Sequence, residues 1–158
     1  FNNQLSSLYD LLLKELKRQR FLNMEETPYY TLASEKNQHL WLVVTSGKFE
    51  EKNITEFTHS DGRSSETAKK LLSDFNGCVQ TDGYVGYNFL NGTRHLGCLA
   101  HVRRYFVDSL KNSSYKASKS FSGEIDKDID EVFELERKIS AKLNDDERLN
   151  YRRKHFSL

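Results

Sequence analysis

The sequence predicts an α/β fold: a mixed sheet of three antiparallel strands followed by β-α-β units, flanked by helices. Three observations lead there. Strand-like segments follow one another from Phe21 to His59, separated by polar linkers of hairpin length. Beyond Ser64 the helical and strand periodicities alternate, as in parallel strands joined by crossover helices. Finally, 158 residues that are 37% hydrophobic and 30% charged suit one domain, 1–158, with a substantial core.

The leading segment, 1–20, reads as an amphipathic helix. Leu5, Leu8, Tyr9, Leu12, Leu13 and Leu16 recur at helical spacing, and Lys14, Lys17, Arg18 and Arg20 gather towards its end. Cations favour a helix C-terminus, which accounts for those bases without a ligand; contact with DNA phosphate is the alternative. Three strands follow: Phe21 to Leu32, broken at the single proline Pro28, then Leu40 to Thr45, then Asn53 to His59. Leu40-Trp41-Leu42-Val43-Val44 is aromatic and β-branched enough for a central strand buried on both faces. Glu25 and Glu26 fall on the first strand, where acids are depleted, so the pair calls for a functional role or an exposed edge.

Ser64 is the expected cap of the next helix, with Glu66 in its first turn, Ala68, Leu71, Leu72 and Phe75 as its buried stripe, and Asn76-Gly77 as its stop. That helix leads into Gly77-Cys78-Val79-Gln80-Thr81-Asp82-Gly83-Tyr84-Val85-Gly86-Tyr87. On a strand Cys78, Gln80 and Asp82 share one face, and Gly83 lets the chain leave the sheet at once. Asp82 is thereby delivered to the carboxyl end of a strand, where open α/β folds place their ligands. Asp-Gly is also a common turn pair. A short helix from Tyr84 to Leu90 and a strand from His95 to Leu99 complete the order β-β-β-α-β-α-β.

In Gly97-Cys98-Leu99-Ala100-His101-Val102-Arg103-Arg104-Tyr105-Phe106 a strand ends and a helix begins. Cys98 and His101 have zinc-ligand spacing, but a structural zinc needs four ligands and no second pair lies at suitable spacing. A helix start bearing His101, Arg103 and Arg104 suits an anion such as phosphate better. Lys111 to Gly123, rich in Ser, Lys and Asn, reads as a mobile loop. The C-terminal helical segment, 124–158, opens with a long helix from Glu124 to Leu143. Ile125, Ile129, Val132, Ile139 and Leu143 form its stripe, and the missing position, four after Val132, is Glu136. A carboxylate on a core-facing stripe is costly unless it pairs with a neighbouring base or binds metal.

A net charge of +1 gives no long-range pull towards nucleic acid, so DNA binding would rest on local basic patches. No apolar run is long enough to span a bilayer and no cleavable leader is legible, which points to a cytoplasmic protein without membrane partners. Two cysteines, Cys78 and Cys98, make no disulfide framework and fit a reducing compartment.

Three acidic positions emerge: Glu25 or Glu26 on the first strand, Asp82 ending the fourth, and Glu136 on a late helix. Hard oxygen ligands converging from separate elements are what a pair of Mg²⁺ or Mn²⁺ ions needs in phosphoryl transfer. By analogy of strand order, the chain matches the ribonuclease H-like fold, in which such acids meet at one edge of the sheet. The blocks from Gln80 to Tyr87 and from Gly97 to Phe106 resemble the signatures of the DDE transposases of the insertion sequence 66 family. Glu25-Glu26-Thr27-Pro28, Arg63-Ser64 and Phe133-Glu134-Leu135-Glu136-Arg137 resemble further blocks, in the same order.

The resemblance implies a metal-dependent catalytic domain that cuts DNA at transposon ends and joins the freed 3′ ends to a target, with a homo-oligomer on DNA compatible with that role. It assigns Asp82 as the second acid and Glu136 as the third. Glu25 stands where the family has aspartate, one methylene longer, which leaves activity open. The family's N-terminal DNA-binding region is not found, so the chain is expected to be a catalytic fragment of a longer protein. Two other readings stand beside this one: a ribonuclease H-like nuclease that hydrolyses without joining, and a decayed copy that folds or binds DNA without chemistry.

Overall fold

The computed structural model describes residues 2–32, 37–45, 53–90, 94–111 and 120–156. Its elements are α1 (Asn2–Leu16), β1 (Phe21–Tyr29), β2 (Gln38–Thr45), β3 (Thr55–Ser60), α2 (Ser65–Leu71), β4 (Cys78–Thr81), a single 3₁₀ turn (Val85–Tyr87), β5 (His95–Gly97), α3 (Leu99–Lys111), α4 (Phe121–Ser140) and α5 (Asp145–His155). They cluster into two compact units, Phe1–Cys98 and Leu99–Leu158. Much of the polar linkers and of the Lys111 to Gly123 loop expected from sequence lies outside the described residues. No helix among the described residues is long and apolar enough to cross a membrane.

The first unit holds a five-stranded mixed sheet of order β3-β2-β1-β4-β5. The first three strands are antiparallel, as their hairpin-length linkers predict. β4 then runs parallel to β1, with Leu22 beside Val79, and β5 parallel to β4. Alternation decides what each strand buries: Leu22 and Met24 of β1, Trp41 and Val43 of β2, and Val79 of β4 form one apolar core with Leu16, Ala68, Leu71, Leu72 and Tyr87. The other side of β2 is only half-buried, so this strand has one core face rather than two. On α1 only Leu16 of the expected stripe reaches this core, and Leu5, Leu8, Tyr9 and Leu12 stay exposed.

Pro28 does not break β1. The strand pairs with β2 as far as Tyr29, whereas its ladder with β4 ends at Asn23, so Pro28 lies where only one neighbour needs hydrogen bonds. Ser64 caps α2, its Oγ accepting from the Glu66 amide. The helix stops before Asn76-Gly77, and Asp74 turns the chain with φ at 61°. Gly77 serves another purpose: a Cβ there would lie 2.4 Å from the Arg20 carbonyl oxygen, the atom that accepts the Cys78 amide at 2.8 Å and starts β4 beside β1.

In the second unit α3 packs on α4. Ser120 caps α4 by accepting from the Gly123 amide, so this helix begins three residues earlier than Glu124. It ends at Ser140, and a capping box between Asn144 and Glu147 starts α5 as a separate helix. Ile129 and Ile139 are buried on α4, and Ile125, Val132 and Glu136 lie half-buried along the same stripe.

Candidate functional site

Adjacent residues on β1 point to opposite faces, and this separates Glu25 from Glu26. Glu26 follows Leu22 and Met24 on the core face, and its side chain has no solvent exposure. Glu25 lies on the other face and is exposed. The β1–β4 ladder ends at Asn23 beside Gln80, two residues before Glu25.

A buried carboxylate is tolerable only when charge-paired and hydrogen-bonded. Glu26 meets both conditions through Arg63 and Tyr87. Arg63 Nε donates to Glu26 Oε1 at 2.5 Å, and its Nη2 also contacts that oxygen. The Tyr87 hydroxyl donates to the other oxygen, Oε2. Tyr87 is itself fully buried, edge-on to Trp41 with ring centroids 6.1 Å apart. Burial, with the hydrogen bond to Glu26 adding to it, holds the Tyr87 phenol protonated far above its ordinary range.

Asp82 follows directly on β4, at the carboxyl end of the strand, with its side chain 19% exposed. Its Oδ1 accepts the Tyr84 amide at 2.9 Å, a local Asx bond that orients the carboxylate as the chain leaves the sheet. Its Oδ2 lies 3.4 Å from Arg63 Nη2. Arg63 therefore stands between a buried and a half-buried acid. Its guanidinium carbon lies 3.6 Å over the Tyr84 ring, and the Tyr84 hydroxyl donates to the Arg63 carbonyl at 2.6 Å. Sequence reasoning singled out Asp82 but gave no role to Arg63, Tyr84 or Tyr87. The signal available for Glu26 was its phase with Leu22 and Met24.

The remaining sequence-derived candidates belong to the second unit. Glu136 is held by Arg152 of α5 through two hydrogen bonds of 2.6 Å, from Nε to Oε1 and from Nη2 to Oε2. That pairing raises the Arg152 pKa above its ordinary value. Arg103 is engaged between α3 and α4, with Nε 3.1 Å from Asp126 and Nη2 2.9 Å from Asp130. Arg104 is exposed and makes no ion pair among the described residues, whereas His101 is half-buried. Cys98 forms no disulfide with Cys78.

Among the described residues no group of three or more His, Cys, Asp or Glu side chains is placed to hold a metal ion. Asp82 and Glu25 still match Mg²⁺ or Mn²⁺ in donor type, both offering hard carboxylate oxygens. Glu26 does not fit that role, because Arg63 and Tyr87 already occupy its two oxygens inside the core.

A mixed five-stranded sheet flanked by helices, with a carboxylate following directly on a parallel strand, is an α/β architecture. The model of the Transposase IS66 family matches residues 1–157, and the chain belongs to that family. Among relatives, the uncharacterized protein y4jD of Sinorhizobium fredii (strain NBRC 101917 / NGR234) is 30% identical over 160 residues, covering 90% of this chain and 30% of that protein. A second protein of the same strain, the uncharacterized y4qI, is 31% identical over 122 residues, covering 66% of this chain and 23% of the relative. The chain thus spans less than a third of the length of these curated relatives. No solved structure matches it.

Proposed function

We propose that this chain is a ribonuclease H-like catalytic domain, 1–158, of a DNA transposase, which cleaves DNA at transposon ends and joins the freed 3′ ends to target DNA. The observation that carries the reading is Asp82 at the carboxyl end of β4, in a chain of the Transposase IS66 family. The sheet order supports the ribonuclease H-like assignment, since three antiparallel strands followed by two parallel ones is the arrangement that analogy leads one to expect.

In this reading Asp82, Glu25 and Glu136 are the acidic ligands of Mg²⁺ or Mn²⁺. When bound, such ions polarise the phosphoryl oxygens and activate the attacking oxygen. The protein's part is positioning. The Tyr84 amide holds Asp82 in one orientation, and Arg63 limits its remaining freedom. Cleavage forms a bond from water oxygen to phosphorus and breaks the P–O3′ bond, leaving a 3′ hydroxyl. Joining repeats the substitution with that hydroxyl attacking a target phosphorus, which breaks the target's P–O3′ bond and releases a target 3′ hydroxyl. Arg104 and His101 on helix α3 supply phosphate contacts that set position rather than sequence preference, while Arg103 is engaged by Asp126 and Asp130.

Nicking of supercoiled plasmid DNA with Mn²⁺, comparing the unaltered chain with Asp82→Asn, tests the assignment. Nicking that disappears in the variant, with joined products in the unaltered chain, is the expected result. Nicking without joining would favour a nuclease. Binding of DNA without nicking by either protein would leave a remnant that folds and binds.

A further inference from the structure

The candidate site contains a cation that is paired with two acids and still partly open to solvent. The Arg63 guanidinium is fixed along one edge: Nε and Nη2 hold Glu26, Nη2 lies 3.4 Å from Asp82, and the Tyr84 ring covers one face. Nη1 has no partner among the described residues. The side chain is 41% exposed, although its anchor, the Glu26 carboxylate, is wholly buried. Neutralising Glu26 would not by itself require a guanidinium that extends to Asp82 and stays open to solvent.

We propose that Arg63 is the phosphate-binding residue of this site, with Nη1 donating to a non-bridging oxygen of the DNA strand presented to Asp82. The inference rests on the nucleic-acid reading above and adds a residue to it. An arginine already locked by a buried acid and a ring loses little side-chain freedom when it takes up an anion, and its planar fork can serve two partners at once. Charge sets the condition for binding. Glu26 and Asp82 carry two negative charges against one on Arg63, so the three groups sum to −1 and do not draw in phosphate unaided. Glu25, a co-ligand in that reading, brings the sum to −2, so the Arg63 contact is expected when divalent cations bound there offset that charge.

The test is binding of a short duplex of arbitrary sequence across a range of salt concentrations, with Ca²⁺ present, for the unaltered chain and for the double variant E26Q/R63Q. The double variant loses one charge of each sign, so the net charge remains +1, and it leaves no unpaired charge in the core. Affinity is expected to fall roughly tenfold. The slope of log K against log salt should become shallower by about 0.9, the loss of one phosphate contact. A merely structural Arg63 would change the melting temperature and leave that slope alone.

A folded double variant with unchanged affinity and slope overturns the proposal. Should the double variant fold poorly, R63K decides. Its ammonium keeps a counter-charge for Glu26 but lacks the fork to reach a phosphate as well, so the same affinity loss is expected, and full affinity overturns the proposal. Failure of the unaltered chain to bind DNA at all would bring down the nucleic-acid reading itself, which separates the two failures.

Discussion

Tyr87 donates its phenolic proton to the carboxylate of Glu26, a residue sixty-one positions earlier, and both side chains are closed to solvent. This hydrogen bond ties the turn after β4 to the middle of β1. Tyr87→Phe keeps the ring packing against Trp41 and removes only the donor. It is expected to cost about 1–3 kcal/mol, read as a lower urea midpoint at an unchanged m value.

The same group predicts a pH dependence. Its folded pKa is raised above the ordinary tyrosine value of about 10, so the stability it contributes is complete below that pH and declines as pH rises beyond it. Unfolding of the unaltered chain should become easier above about pH 10. In Tyr87→Phe that alkaline decline should be shallower, and an identical decline would remove Tyr87 as its source.

Glu136→Gln separates structure from chemistry on α4. The Glu136–Arg152 pair is bidentate but partly exposed, 29% and 43% by side chain, so losing it should cost no more than about 1 kcal/mol. If Glu136 is the third acid, metal-dependent nicking should nevertheless fall by about a hundredfold or more, the scale of losing a group that acts at the transition state. Retained nicking would leave it a helix-pairing residue.

The two arginines of α3 should behave differently. Arg103→Ala removes the bridge to Asp126 and Asp130 and is expected to lower the stability of the second unit by up to about 1 kcal/mol, with little effect on DNA affinity. Arg104→Ala should weaken binding to unrelated DNA sequences about equally and reduce the salt slope by about one. Reversed outcomes, followed by thermal melts and salt titrations, would exchange their roles.

Glu25→Asp restores the residue that the family resemblance leads one to expect. The extra methylene of glutamate moves the carboxylate by about an ångström, more than the roughly half an ångström that a metal site tolerates. Weak Mg²⁺ binding and low cleavage are expected of the natural chain, and Glu25→Asp should raise both. Mg²⁺ calorimetry and nicking assays would show it, and equal or lower values in the variant would mark glutamate as a working ligand.

Much of this molecule is legible in one dimension, because local chemistry decides it. Hairpin-length linkers set three antiparallel strands, Ser64 caps α2, and a short strand ending at Thr81 delivers Asp82. Alternation from Leu22 and Met24 is enough to turn Glu26 inward and Glu25 outward. Partnership is another matter. Arg63 is 37 residues from Glu26 and 19 from Asp82, and Arg152 is 16 from Glu136. Arg103 likewise reads as a free base at a helix start until α4 brings Asp126 and Asp130 against it. A carboxylate or a guanidinium has the same sequence signature whether it meets solvent, a metal or a counter-charge. Only the packing of strands and helices sets which of these lies within 3–4 Å, and with it whether the charge is neutralised or left to act.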